Sequence, residues 1–185
     1  MLSIRKYEEK DYDDVCYTCL NSEEDNDMSE SLCEFVLHTF CEYYIEQEPE
    51  NCFVLDNDGK AVGYIICAEN YDKFKAKFDE EYFPRSLHLG EGRISWAKTA
   101  YLLHEKFKED YPAHLHIDIL PAYQRGGFGG KLVAALSEHL AAKGIKGVML
   151  TTGTANTTAN NFYKKYGFEE LEIYDTDIAF GKKLI

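Results

Sequence analysis

Apolar residues recur along this chain with two periods. Alternation over residues 2–7, with Leu2 and Ile4 on one face and Ser3 and Arg5 on the other, predicts a short strand. Helical spacing follows. Tyr12, Val15, Cys16 and Cys19 share one face of a helix over about 12–21, and Asp11 or Asp13 can cap it. A second helix is predicted from about Ser29 to Gln47, with Leu32, Phe35, Val36, Phe40 and Tyr43 on one face and Pro49 past its end. Apolar runs at Cys52–Leu55 and Ala61–Ala68, joined by Asp56-Asn-Asp-Gly59, predict a hairpin. Residues 72–111 are charged, aromatic and mainly helical, broken at Pro84, Gly90 and Gly92. They read as an insertion covering a face of the sheet. A strand is predicted over His114–Leu120, ended by Pro121. A glycine cluster and a helix to about Ala142 follow, with Leu132, Val133, Leu136 and Leu140 on its apolar face and Gly144 beyond it. Val148–Thr152 reads as a strand and Thr157–Tyr166 as a short helix closed by Gly167. Glu170–Tyr174 and Ile178–Leu184 read as a last hairpin.

This order of elements describes an α/β protein, and 185 residues fit one domain spanning 1–185. The chain is 45% hydrophobic and 14% aromatic, which excludes disorder. Acidic side chains outnumber basic ones 33 to 20, a formal charge of −13. That field disfavours nucleic acid and attracts a cationic substrate. The acidic loop Glu23–Asp27 reads as a solvated linker or as a rim that draws such a substrate in. No apolar run is long enough to cross a membrane, so no membrane partner is expected. The start carries charge within a few residues, so no signal peptide is read and a cytoplasmic location is expected. Cys16-Tyr-Thr-Cys19 lies on one helix face without a second pair at zinc-finger spacing, so reduced thiols are expected rather than zinc or redox chemistry. A homodimer is left open.

The sharpest local signal is Pro121-Ala-Tyr-Gln124-Arg125-Gly126-Gly127-Phe128-Gly129-Gly130-Lys131, between a strand and a helix. Glycine lets backbone N–H groups approach a ligand, and a helix N-terminus adds unpaired donors, so the place suits a pyrophosphate. A Walker A loop fails because Leu132 follows Lys131. A dinucleotide fingerprint fails because Leu132 stands where the third glycine should be.

The loop resembles the Q/R-x-x-G-x-G/A signature of the GNAT N-acetyltransferase superfamily. Two neighbouring segments extend the resemblance. Ile117-Asp-Ile119-Leu-Pro121 resembles that family's fourth strand, and Asn156-Thr-Thr-Ala159-Asn-Asn-Phe162-Tyr163…Gly167-Phe168 resembles its N-x-x-A-x-x-hydrophobic-Tyr segment. Tyr111-Pro-Ala-His114-Leu-His116-Ile-Asp118 is similar to the acetyltransferase-like domain of O-GlcNAc hydrolases and its free-standing bacterial relatives. The resemblance implies a single-domain GNAT fold: a mixed central sheet with splayed fourth and fifth strands and helices on both faces. It implies acetyl-CoA as co-substrate and a small-molecule or peptidyl primary amine (aminosugar, lysine or N-terminus) as acceptor. It places pantetheine along Ile117, Asp118 and Ile119, and the pyrophosphate on the N–H groups of Arg125, Gly126, Gly127, Phe128, Gly129 and Gly130. Asn156 would touch the pantetheine arm and Tyr163 the sulfur.

Acetyl transfer needs a neutral amine, a polarised carbonyl and a proton for the departing thiolate. A backbone N–H near Ile119 can serve the carbonyl, and the Tyr163 phenol the thiolate. For the base, His114, His116 and Asp118 lie on one strand face at i, i+2, i+4. The glutamate some family members place on the next strand is Thr151 here, so the base falls to these three or to a water chain among them. They could instead line the slot without catalysing. A metal on the trio would need a fourth ligand from elsewhere, so none is expected. A catalytically silent acetyl-CoA-binding or protein-interaction module is the alternative to an enzyme.

Overall fold

The computed structural model describes residues 1–23 and 27–185. Seven strands form one sheet: β1 (Leu2–Lys6), β2 (Phe53–Asn57), β3 (Lys60–Ala68), β4 (Ala113–Ile119), β5 (Gly147–Gly153), β6 (Glu169–Tyr174) and β7 (Asp177–Lys183). Their order is β1-β2-β3-β4-β5-β7-β6, with every pair antiparallel except β4–β5. The β2–β3 turn puts Asp58 and Gly59 at φ 52° and 97°, the left-handed pair that matches the strands' twist. The hairpin expected at the chain's end forms as β6 and β7, and β7 inserts between β5 and β6.

The helices are α1 (Tyr12–Asn21), α2 (Glu30–Phe40), α3 (Glu42–Gln47), α4 (Tyr71–Lys77), α5 (Glu91–Thr99), α6 (Leu102–Phe107), α7 (Phe128–Ala142) and α8 (Thr157–Lys165). Strand alternation divides the core between two faces. Tyr64, Ile66 and Ala68 of β3 meet Val15, Tyr43, Tyr44, Phe74, Phe78, Tyr82 and Tyr101 on one side. Ile65 and Cys67, with Ala113 and Leu115 of β4, meet Leu132, Val133, Leu136, Leu140, Tyr163 and Phe168 on the other.

The helix expected over Ser29–Gln47 is two helices. Cys41 leaves helical geometry at φ −130° and ψ −62° and is itself fully buried. The break lets Phe35 and Thr39 from α2, and Tyr43, Tyr44 and Ile45 from α3, all reach the interior. One unbroken stripe could not aim both sets at the same sheet. Asp11 also departs from expectation. Its carboxylate accepts the Glu8 N–H at 2.9 Å and pairs with Arg5 at 2.6 Å, so it secures the turn before α1 and does not cap α1. The stretch 71–107 is mainly helical and delivers Phe74, Phe78, Tyr82 and Tyr101 to the core. Among the described residues, no helix is long and apolar enough to cross a membrane.

Candidate active site

β4 and β5 pair only at Ala113–Val148 and His114–Met149. Beyond His114 they part, while β4 stays paired with β3 through Ile119. One backbone edge of Leu115–Ile119 therefore faces an opening in the middle of the sheet. This splay is what the resemblance implied. An unpaired strand edge inside a protein is a template for an extended, amide-bearing ligand.

The glycine loop lies at the wide end of that opening. Arg125 (φ 63°) and Gly127 (φ 77°) adopt left-handed backbone, and Gly127 caps α7 without any side-chain hydrogen bond. The first N–H groups of α7 thus lack an intrahelical partner and carry the helix's positive end. A Cβ on Gly127 would meet nothing within 4 Å, so this part of the loop is open. Gly129 and Gly130 have a different reason. A Cβ there would strike Phe162 at 2.8 Å and Tyr166 at 2.2 Å, so these two glycines let α7 seat against α8. Gln124 ties the loop down, donating from Nε2 to the Ile119 carbonyl at 2.8 Å and the Ser22 carbonyl at 2.9 Å. This cradle of uncapped donors and open backbone fits a pyrophosphate.

Asn156 caps α8, its Oδ1 accepting the Ala159 N–H at 3.0 Å. We expect Asn156→Ala to cost about 1 kcal/mol of stability, read as a lower urea midpoint at unchanged slope. An unaltered midpoint would remove the cap role. Tyr163 is nearly buried, its ring against Phe162, Phe168 and Phe180. Burial, and secondarily the Asp118 charge, push its pKa up, which keeps the phenol protonated.

The three candidates for the base separate in the structure. His114 sits at the closed end of the slot, 1% exposed, ringed by Phe74 at 4.5 Å, His104 at 5.0 Å, and Tyr44 and Tyr101. Neither ring nitrogen has a partner, and burial drives its pKa well below the usual imidazole range. His116 is half-buried, its Nε2 3.1 Å from the Tyr44 hydroxyl, and burial lowers it to about 4. Asp118 is half-buried beside Tyr64, and burial raises it to about 6. A carboxylate at about 6 is ionised at neutral pH and still basic enough to take a proton.

Cys16 and Cys19 pack with buried Cys41 as free thiols. Among the described residues, no three His, Cys, Asp or Glu side chains are arranged to hold a metal ion. The acidic-rim expectation falls partly on residues 24–26, which lie outside the described residues. Sequence reasoning missed Tyr44 and Tyr64, which hold His116 and Asp118. Both stand among apolar neighbours and read as core. Only the β3–β4 register pairs Tyr64 with Asp118.

Known proteins resemble this chain in sequence and fold. Residues 12–168 match the acetyltransferase (GNAT) family. Over 79 residues the chain is 37% identical to a mycothiol acetyltransferase of Streptosporangium roseum, covering 43% of this chain and 21% of that protein. Over 113 residues it is 28% identical to a mycothiol acetyltransferase of Amycolatopsis mediterranei, covering 60% and 36%. The chain thus spans about a fifth to a third of the curated relatives it matches. The crystal structure of SsHAT is similar at TM-score 0.90 and 26% identity, covering 100% of this chain and 98% of that one. The PaiA N-acetyltransferase of Thermoplasma acidophilum, in complex with coenzyme A, shares the fold at TM-score 0.63 and 16% identity, with 99% of each chain covered.

Proposed function

The chain belongs to the GNAT acetyltransferase family, and from that membership we propose that it transfers the acetyl group of acetyl-CoA to a primary amine by direct attack. The observation that carries the reading is the slot between β4 and β5. It has a free strand edge along one wall and an uncapped helix end at its mouth. An ionisable carboxylate and a neutral phenol stand near enough that the charge of Asp118 is felt by Tyr163.

The parts have distinct tasks in this reading. The backbone of Ile117–Ile119 pairs with the pantetheine arm, and the N–H groups of residues 125–130 take the pyrophosphate. Asn156, its Oδ1 committed to the α8 cap, keeps its amide N–H₂ for the same arm. The amine becomes strongly acidic as its nitrogen bonds to the thioester carbon, and Asp118 takes the proton then. The leaving thiolate draws on the Tyr163 hydroxyl, which shares its proton in the transition state. His116 stays neutral at physiological pH and lines the acceptor side with Phe40 and Tyr44. His114, walled in by rings, serves the core in this reading rather than the reaction. The acidic surface favours a cationic acceptor.

A thiol-release assay over free amines, aminosugars, polyamines and lysine peptides tests the reading. With an accepted amine, Tyr163→Phe lowers turnover by about a hundredfold at unchanged acetyl-CoA affinity. An unaltered rate removes Tyr163 as the acid. Silence across the panel with acetyl-CoA still bound points to a binding module instead.

A further inference from the structure

We propose that Tyr64 is a positioning residue for the proton-accepting step: its buried hydroxyl holds the Asp118 carboxylate in one orientation and keeps it ionised. The inference rests on the reading of Asp118 as the base and adds a residue to that site.

Tyr64 lies directly across the β3–β4 ladder from Asp118 and shares its face of the sheet. It is fully buried, and its Oη donates to Asp118 Oδ2 at 2.5 Å. The distance is that of a charge-assisted O–H···O⁻ bond. Such a bond favours the charged form of the acceptor and opposes the burial that disfavours it. The proton stays on the phenol, because burial and the Asp118 charge both push the Tyr64 pKa well up. The bond is made to Oδ2 alone, which fixes the plane of the carboxylate.

The surroundings of Asp118 define what else could move its titration. At the end of α1, the Ser22 side chain also hydrogen-bonds the carboxylate, and Glu23 opposes its charge. On β4, His116 shares the face two residues away, and on α8 Tyr163 feels the Asp118 charge. Tyr64 itself is bordered by Cys19 and Cys41. None of these replaces the donor opposite the carboxylate on the neighbouring strand. β3 also runs close here. A Cβ on Gly63 would meet Ile119 Cγ1 at 2.8 Å and the Asp118 carbonyl at 3.2 Å, so the two strands hold the pair at fixed separation.

The test follows the carboxyl ¹³C resonance of Asp118 against pH in the full chain, assigned by its loss in Asp118→Asn. Wild type is expected to titrate near 6, raised by burial. In Tyr64→Phe the midpoint rises by about one unit or more, since a hydrogen bond to a charged group is lost. An unchanged or lower midpoint overturns the proposal. Should Tyr64→Phe fail to fold, 3-fluorotyrosine placed at position 64 offers a more acidic phenol of nearly the same volume. It lowers the midpoint; no shift overturns the proposal. Turnover with an amine accepted in the thiol-release assay separates this inference from the reading it rests on. If Asp118→Asn keeps the acidic limb of the rate profile, Asp118 is not the base. If Asp118→Asn removes that limb and Tyr64→Phe leaves it in place, only the role of Tyr64 falls.

Discussion

Gly127→Asp is expected to weaken acetyl-CoA binding about a thousandfold while the protein stays folded. Gly127 is the N-cap of α7 at φ 77°, and a Cβ there meets nothing within 4 Å. The new Cβ therefore clashes with nothing. Aspartate tolerates this backbone region, and Asp58 and Asp175 already occupy it in this chain at φ 52° and 55°. A carboxylate at an N-cap even supplies the missing acceptor for the helix's free N–H groups. The left-handed backbone at φ 77° still carries a modest cost for a residue other than glycine, of about 1 kcal/mol, which leaves the protein folded. Binding should change greatly for two reasons. The carboxylate consumes donors meant for phosphate. It also sets like charges within a few ångströms, at roughly 4 kcal/mol per pair at an effective dielectric near 20. Calorimetric titration with acetyl-CoA reads the effect. Gly127→Asn, nearly the same shape without the charge, should retain part of the affinity. Binding by Gly127→Asp within tenfold of wild type would sink the assignment of this loop to the pyrophosphate.

The glycine loop also marks the limit of what sequence could say. The cluster was legible as a place where backbone must come close to something. The four glycines divide that duty in a way the sequence does not mark. Gly127 opens on free space, while Gly129 and Gly130 make room for Phe162 of α8 and for Tyr166 just past its end. The same holds for the strand before it. Period-two alternation put His114, His116 and Asp118 on one face, and that is where they lie. Alternation carries no information on depth along the strand. His114 lies where β5 still pairs with β4, and Asp118 lies where the strands have parted. That difference turns one into a walled-in core group and leaves the other half-exposed at the slot. The break at Cys41 was invisible for a related reason. Helical spacing persists on both sides of it, and the packing demand that bends the chain comes from β3 and β4, far away in sequence. Tyr64 required the cross-strand register, which no local pattern fixes.

The buried histidines make acid lability the second large expected effect. His104 and His114 are 2% and 1% exposed, in contact at 5.0 Å, and carry ring nitrogens without partners. Burial lowers His104 to about 3, His116 to about 4 and His114 well below its usual value. In the unfolded chain each would take a proton near pH 6.5. Below that, the unfolded state binds protons that the folded state refuses. Stability is therefore complete above about 6.5 and falls with pH, by up to about 1.4 kcal/mol per pH unit for each imidazole. Asp118 works in the opposite sense. Its folded value near 6 lies above the unfolded value of about 3.9, so it gains stability as pH falls through 6 and offsets about one imidazole. Asp11, Glu42 and Glu69, held below their ordinary values by Arg5, by His38 and Arg85, and by Lys143 and Asn51, add further loss only below about pH 4.5. The balance at about pH 5 is a loss of about 3–5 kcal/mol, a large part of the 5–15 typical of a domain. Urea midpoints should therefore drop steeply between neutral pH and about pH 5. His114→Leu should flatten the slope by about one imidazole. Equal midpoints at the two pH values would mean that these imidazoles can charge in the folded state, and that the aromatic wall around His114 admits water.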